Sequence, residues 1–251
     1  MAISFVGSAA NSASPNATFS LTLPGGCQTD DLIIAAFAVG DTSASDSNIA
    51  VTGFTEVADL FSGTDTNDTD LWVGYRYFVG GDTTVPSTGT FTALGGTNAS
   101  NAAVCMVFRG VATAADGGPF DVTATTATGI DTSNADPPSI DTTGTAGIWT
   151  VVVGATGHTG GATAVFATIP AFYSGTDDVQ RAHDDTVDVL IGVAYRTNPG
   201  DPENPGAFGA SNIGTAANNS WCAVTMALKE APAAVASPSY RPQLYEQILP
   251  Q

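Results

Sequence analysis

An internal repeat constrains the fold of this chain more than any other feature of its sequence. Three landmarks occur twice, in the same order and at a nearly constant distance along the chain. They are FSGTD (61–65) and YSGTD (173–177), VGYR (73–76) and IGVAYR (191–196) with Gly74 matched to Gly192, and the runs 101–109 and 219–229 with Met106 matched to Met226. Such a repeat indicates two similar units that bury their apolar faces against each other.

Each half of the chain has the pattern of strands separated by turns. Clusters of Gly, Asp, Asn, Ser and Pro lie between strand-like runs at 32–39, 54–61, 71–79, 104–108, 148–153, 189–195 and 223–228. None of these runs has helical length. The pattern predicts almost no helix and about eight core strands.

Several runs are apolar at consecutive positions, as in LIIAAFAV (32–39), which is typical of a strand covered on both faces. The opposite sheet would cover one face, and loops or a neighbouring subunit the other. We predict an all-β fold: an antiparallel, jelly-roll-like β-sandwich over residues 1–229 with internal pseudo-duplication, its pseudo-repeats at about 15–110 and 135–229. Two independent domains are the alternative, since length alone allows either.

The charge of the chain excludes two classes of partner. It has 24 acidic and 6 basic residues, a formal net charge of −18. This charge repels a phosphate backbone and an anionic membrane surface, so we expect neither nucleic acid nor a membrane as partner. Residues 1–15 have no basic segment followed by an apolar one, which predicts that the chain carries no signal peptide and folds in a cytosol. Cys27, Cys105 and Cys222 are then expected as buried free thiols.

The residues that catalysis needs are few and scattered. His158 and His183 are the only histidines, each in a polar turn or loop. No zinc-protease, nucleophile-elbow or phosphate-loop motif occurs, and acidic pairs are too common here to indicate a glycosidase. We therefore predict that the chain is not an enzyme and has no catalytic residues and no cofactor.

Two further patterns have a structural and a functional interpretation. The acidic run DTNDTD (65–70) and the acidic stretch 177–185 offer calcium-type oxygen ligands but not the spacing of an EF-hand, so a solvated acidic loop is favoured and no metal site is predicted. Trp72, Trp149 and Trp221 lie in or beside predicted strands. They are expected in the core or an interface and not on a sugar-stacking platform.

The last residues, 230–251, differ in composition from the rest. A Pro- and Ala-rich stretch (231–238) leads into SYRPQLYEQILPQ (239–251). Proline favours extended backbone, and the large apolar residues here have no core of their own to enter. We predict a Pro-rich extended assembly arm, with a frayed terminus as the alternative. The arm residues expected to bind partner subunits are Tyr240, Arg241, Leu244, Tyr245, Ile248 and Leu249.

Several short segments together resemble a β-sandwich domain of tailed-bacteriophage virion proteins. They are DDLIIAA (30–36), the strand 72–77, VFRGV (107–111), PPSI (137–140) and the closing strand 221–228. The middle and closing segments match the family pattern well. The first departs from it, because Asp30 stands where the family has glycine.

The resemblance implies a non-enzymatic structural role in a virion, as a fibre, a tail or neck component, or a capsid decoration protein assembled in the host cytoplasm. Its partners would be other virion proteins and copies of itself in a homo-oligomer, of which a trimer is one form. The alternative is a receptor- or glycan-binding adhesin module, whose partner would be a host surface glycan.

Overall fold

The computed structural model describes residues 2–13, 18–41, 46, 49, 51–64, 67–85, 91–92, 100–131, 135–144, 146–158, 165–170, 173–181, 188–211 and 219–233. The strands, in chain order, are β1 (Ser4–Ala13), β2 (Thr18–Phe19), β3 (Leu21–Thr22), β4 (Leu32–Gly40), β5 (Thr55–Thr64), β6 (Asn67–Tyr77), β7 (Thr84–Val85), β8 (Phe91–Thr92), β9 (Ser100–Arg109), β10 (Thr125–Asp131), β11 (Ile148–His158), β12 (Val165–Thr168), β13 (Ser174–Arg181), β14 (Asp188–Thr197), β15 (Gly209–Ser211) and β16 (Asn219–Lys229). Among these residues the one helical segment is the 3-10 turn Ala114–Asp116, and no helix is long and apolar enough to cross a membrane. The all-β prediction is confirmed.

The long strands form two antiparallel five-stranded sheets. Their orders are β1-β9-β4-β6-β5 and β10-β16-β11-β14-β13. Each half of the chain supplies one whole sheet, and its five long strands take the same positions in both. The predicted antiparallel sandwich is confirmed. In a jelly roll the strands alternate between the two sheets, so the jelly-roll-like connectivity that we expected is not the one found.

The two sheets also carry similar residues in equivalent rows. Neighbouring residues across the three central strands are Ile34, Tyr75 and Met106 in the first sheet and Val151, Tyr195 and Met226 in the second. The next row contains Arg76 in one sheet and Arg196 in the other. These rows match Gly74 with Ala194, whereas the sequence pattern had matched it with Gly192. Equal strand order and matching rows are what an internal duplication would produce, and the duplication itself stays a prediction.

Side chains from the facing surfaces of both sheets form one core. Alternate residues of the central strands point inward, and the largest contributors are Leu32, Ile34, Leu71, Met106, Phe108, Val151, Val153, Ile191, Val224, Met226 and Leu228. Trp149 and Tyr195 stack at one end of this core with ring centroids 5.2 Å apart. Burial of this apolar surface, at about 25 cal/mol per Å², is the main force that holds the two halves together.

The outer face of each sheet is covered by the chain's own connecting segments. On the first sheet Trp72 packs with residues such as Leu21 and Phe78. On the second sheet Phe166, Tyr173 and Phe208 form the cover. Of the two covers that we expected, loops or a neighbouring subunit, the described residues show loops. Trp72 and Trp221 are buried in these outer layers, in agreement with the predicted core role.

A glycine lies under the cover of the second sheet where a larger residue would collide with it. A Cβ placed on Gly154 would lie 2.7 Å from the ring of Phe208 and 2.9 Å from Ala135. Phe208 itself is fully buried, and its backbone N–H donates to the Ala135 carbonyl at 2.8 Å. The missing side chain therefore provides the space in which the phenyl ring is seated.

Buried hydroxyl groups join the two sheets at one end. Thr69 of β6 accepts the backbone N–H of Gly157 at 2.6 Å, and its hydroxyl lies 3.0 Å from the Ser220 carbonyl oxygen. Thr156 donates to the same carbonyl at 3.0 Å. These hydrogen bonds are out of reach of water. The bonds of Thr69 to β11 and β16 therefore fix the register of the first sheet on the second.

Candidate functional site

A groove runs along one edge of the sandwich between the two sheets. One wall is the start of β5, residues 55–57, together with Tyr75 of β6; the other wall is the segment 120–124 that leads into β10. The volume of the groove is about 520 Å³. β5 is the last strand of its sheet, so among the described residues no strand pairs with its outer edge.

Both walls of the groove are held by the sheets behind them. Phe120 forms an isolated bridge with Leu228, and the Asp121 N–H donates to the Ala227 carbonyl at 2.8 Å. The opposite wall bends at Val57, where the register of β5 against β6 shifts. A bulge of this kind bends an edge strand and leaves a residue outside the ladder.

The groove combines aromatic, apolar and acidic surface. The rings of Tyr75 and Phe120 meet edge to face, with their centroids 5.1 Å apart. Asp121 accepts the backbone N–H and the hydroxyl of Thr143 at 2.7 and 2.5 Å. Glu56, on the other wall, accepts the indole N–H of Trp72 at 3.2 Å and is otherwise exposed. This surface suits an apolar segment that also carries a cation or hydroxyl groups.

The chain leaves the sandwich beside a second, smaller cavity. The Ala231 N–H donates to the Gly110 carbonyl at 2.8 Å, and Ala231 and Pro232 line a cavity of about 350 Å³ together with Asp31 and Arg109. Arg109 binds Asp31 through Nε and Nη2 at 2.9 and 2.8 Å. The last described residue is Ala233, so the predicted arm residues Tyr240, Arg241, Leu244, Tyr245, Ile248 and Leu249 lie outside the described part of the chain.

Asp41 and Asp68 are buried together at one end of the first sheet. Asp68 Oδ1 accepts the backbone N–H of Asp41 at 2.8 Å. Burial is the main cause that raises the pKa of Asp68 to about 8, and a side-chain hydrogen bond with Asp41 and the charge of Asp41 act in the same direction, while the backbone N–H of Asp41 acts against them. The carboxyl group of Asp68 therefore keeps a proton at neutral pH, and a neutral carboxyl is the form that a site without water tolerates.

The burial of Asp68 and Asp70 corrects one sequence-based interpretation. Asp68 and Asp70 were expected in a solvated acidic loop, but both lie in β6 and are 0% exposed. Asp65 is outside the described residues, and so are the side chains of Asn67, Asp177 and Asp178. Within the described part, no group of three or more acidic, histidine or cysteine side chains is arranged to hold a metal ion.

The described thiols show little that catalysis could use. All three cysteines are free, with Cys105 and Cys222 buried and Cys27 half-buried. Burial raises the pKa of Cys27, and burial with nearby carboxylates raises that of Cys222 well above its usual value, so these thiols are poor nucleophiles. The side chains of His158 and His183 lie outside the described residues.

None of the groove residues was predicted from the sequence. Thr55, Glu56 and Val57 are visible in the sequence as part of a strand, but which strand lies at the edge of a sheet depends on the strand order. Phe120–Ala124 carries no turn or motif that would place it opposite them. The one available signal was the presence of Thr55, Glu56 and Asp59 in the strand-like run 54–61, which indicates that part of that strand meets water.

Comparison of the chain with protein-family models, with curated protein sequences and with solved structures finds no significant match.

Proposed function

We propose that this chain is a non-enzymatic structural component of a tailed-phage virion, in the fibre, the tail or neck, or the capsid decoration, assembled in the host cytoplasm. It would attach to other virion subunits and to copies of itself through its C-terminal arm. The observation that carries the proposal is that both sheets of the sandwich are already covered. Described segments of the chain pack on the two outer faces, and in the sequence the apolar anchors of residues 234–251 follow the closing strand.

The way in which the sheets are covered supports an assembly role for the arm. Since both outer faces are packed by the chain's own segments, neither needs a neighbouring subunit to bury it. The anchors Tyr240, Leu244, Tyr245, Ile248 and Leu249, by contrast, follow the closing strand and a Pro- and Ala-rich stretch in the sequence. Large apolar residues concentrated in one short segment mark a binding segment more often than a solvated one.

The charge and chemistry of the body support a passive role. A net charge of −18 keeps a protein soluble at high copy number and does not favour contact with nucleic acid. Cys27 is half-buried and Cys222 is buried, and the pKa values of these two thiols are raised. Neither property is that of an activated nucleophile.

Incorporation into particles tests this function. We expect the full chain to co-purify with virions of a phage that encodes it, and a chain without residues 234–251 to stay in the lysate as a folded protein with unchanged thermal unfolding. The matched control keeps the arm and changes two of its polar residues, Gln243→Ala and Gln247→Ala. This variant should still be incorporated. Virions that contain the shortened chain, or that contain none of the full chain, would contradict the proposal.

The groove supports a second candidate, a glycan-binding adhesin. Tyr75 and Phe120 offer aromatic surface for a sugar ring, and Glu56 and Thr55 offer hydrogen-bonding groups beside it. If this candidate is right, Tyr75→Ala should abolish retention on a host glycan without affecting incorporation into particles. If the structural proposal is right, deletion of the arm should decide whether the chain reaches the virion, and the chain should show no retention on a host glycan that Tyr75→Ala could remove.

A further inference from the structure

We propose that the groove between β5 and the segment 120–124 is the dock for the C-terminal arm, residues 240–249, of a second copy of this chain. The inference rests on the proposed function, because it names the site on one subunit that receives the arm of the next. Nothing in the sequence pairs these two parts of the chain. The case comes from the chemistry of the groove, the open edge of β5 and the point at which the arm begins.

The residues of the arm and of the groove are complementary in polarity. The groove presents apolar surface from Val57, Phe120, Val122 and Ala124. Facing it, the arm would supply the side chains of Leu244, Tyr245, Ile248 and Leu249. A narrow apolar groove that receives a short segment with several large side chains is a recurrent mode of peptide recognition.

One charge of the arm is complementary to the groove. Arg241 is the one basic residue of the arm, and the groove has a carboxylate on each wall, from Glu56 and Asp121. Glu246, the one acidic residue of 240–249, would have to point away from these walls toward solvent. Three other arginines of the chain are already bound within the sandwich, in the ion pairs Arg76–Asp82 at 2.7 Å, Arg109–Asp31 at 2.8 Å and Arg196–Glu203 at 2.8 Å. Arg241 would bring to an acidic surface the positive charge that reduces repulsion between two subunits.

The backbone of β5 offers a further set of contacts. As the last strand in its sheet, β5 has an outer edge with no strand partner among the described residues. An extended segment that enters the groove could pair with this edge as an added strand. Proline at 242 and 250 would limit such pairing to the residues between them, and this interval contains all four apolar anchors that the groove would receive.

The position at which the arm begins allows it to reach the groove of another copy. Phe120, at one end of the groove, forms a bridge with Leu228, only a few residues before the chain leaves the sandwich. Residues 231–239 precede the arm, and nine residues of fully extended chain span at most about 32 Å. That reach is enough to bring the anchors to the same groove of a subunit that lies beside this edge.

Chemical cross-linking of the full chain tests the dock. In a Cys27→Ser background, Thr123→Cys in the groove is combined with Leu244→Cys in the arm, and the protein is treated with a short bismaleimide and separated by denaturing electrophoresis. The matched control moves the first cysteine to Ser139→Cys, an exposed position next to Pro138, whose carbonyl accepts the Thr225 hydroxyl at 2.7 Å. We expect covalent dimers and larger species with Thr123→Cys, at least fivefold more abundant than with Ser139→Cys.

Three results would overturn the inference: a link within one chain, equal linking at both positions, or no linking. The mass of the untreated full chain in solution separates this failure from failure of the proposed function. If the chain is an oligomer but Thr123→Cys does not link to Leu244→Cys, the arm assembles subunits through another surface. If the chain is a monomer and joins no particle, the structural proposal fails with it.

Discussion

Replacing Asp68 with asparagine should make the stability of this protein much less dependent on pH. In the folded chain the pKa of Asp68 is raised to about 8 by burial and by Asp41, whereas an unfolded aspartate titrates near 4. Between these values the folded state holds a proton that the unfolded state releases. Folding is therefore favoured at low pH, and this contribution is lost as the pH rises from about 4 to about 8.

The size of the effect follows from the same linkage. Between pH 5 and pH 8 the free energy of unfolding of the natural chain should fall by about 3 kcal/mol. Asp68→Asn should remove most of this slope, because an amide stays neutral and can still donate to Asp41. A smaller slope of the same sign should remain from Asp59, whose pKa is raised to about 6 by burial and by Asp46 and Glu56.

Denaturant unfolding at pH 5, 6, 7 and 8 measures this directly. Asp82→Asn is a control that removes a carboxylate from the turn after β6, away from Asp41 and at the ion pair with Arg76, so it should shift stability without flattening the slope. An unfolding free energy of the natural chain that stays constant or increases from pH 5 to pH 8 would show that Asp68 is ionised in the folded protein.

Replacing Phe208 with alanine should destabilise the protein by about 3–5 kcal/mol, the range measured for truncating a fully buried phenylalanine. Its ring has no exposed surface and lies 5.0 Å, centroid to centroid, from that of Phe166. Because glycine occupies position 154, this neighbour has no side chain that could fill the space that the ring leaves. The cavity term therefore adds to the lost transfer free energy.

This substitution also tests whether the loop layer belongs to the folded unit. Phe208→Leu is the matched control and should cost about 1 kcal/mol, since it preserves most of the buried volume. The measurement is the unfolding free energy from urea titration at one pH. A loss below about 1 kcal/mol for Phe208→Ala would mean that the cover is not firmly packed, and that the outer face of the second sheet is available to another subunit.

A strand could be predicted from the sequence where its residues are mostly apolar. Central strands such as β4 and β11 are continuous apolar runs, and the sequence located both. The edge strands β1, β10 and β13 were missed, because SFVGSAANSA, TTATGID and SGTDDVQR are rich in small and polar residues, and the last of these had been expected as an acidic loop. An edge strand buries less surface than a central one, so its sequence is less constrained. Ten long strands were found where about eight had been predicted.

The buried aspartates and the groove show where sequence patterns stop being informative. Asp68 and Asp70 precede an apolar run and have the composition of a loop, yet β6 begins at Asn67 and carries them into the interior. Acidic residues are rarely buried, so no periodicity argument would have placed them there. The groove brings together residues from positions 55–57 and 120–124, and only the strand order makes them neighbours.

The central claim is that a self-contained sandwich assembles through its C-terminal arm. Light scattering in solution tests it most directly, by comparing the mass of the full chain with that of a chain ending at Ala233, the last described residue. We predict a defined oligomer for the full chain, and a monomer with the same thermal unfolding for the shortened one. Equal masses for the two chains, whether monomeric or oligomeric, would contradict self-assembly through the arm.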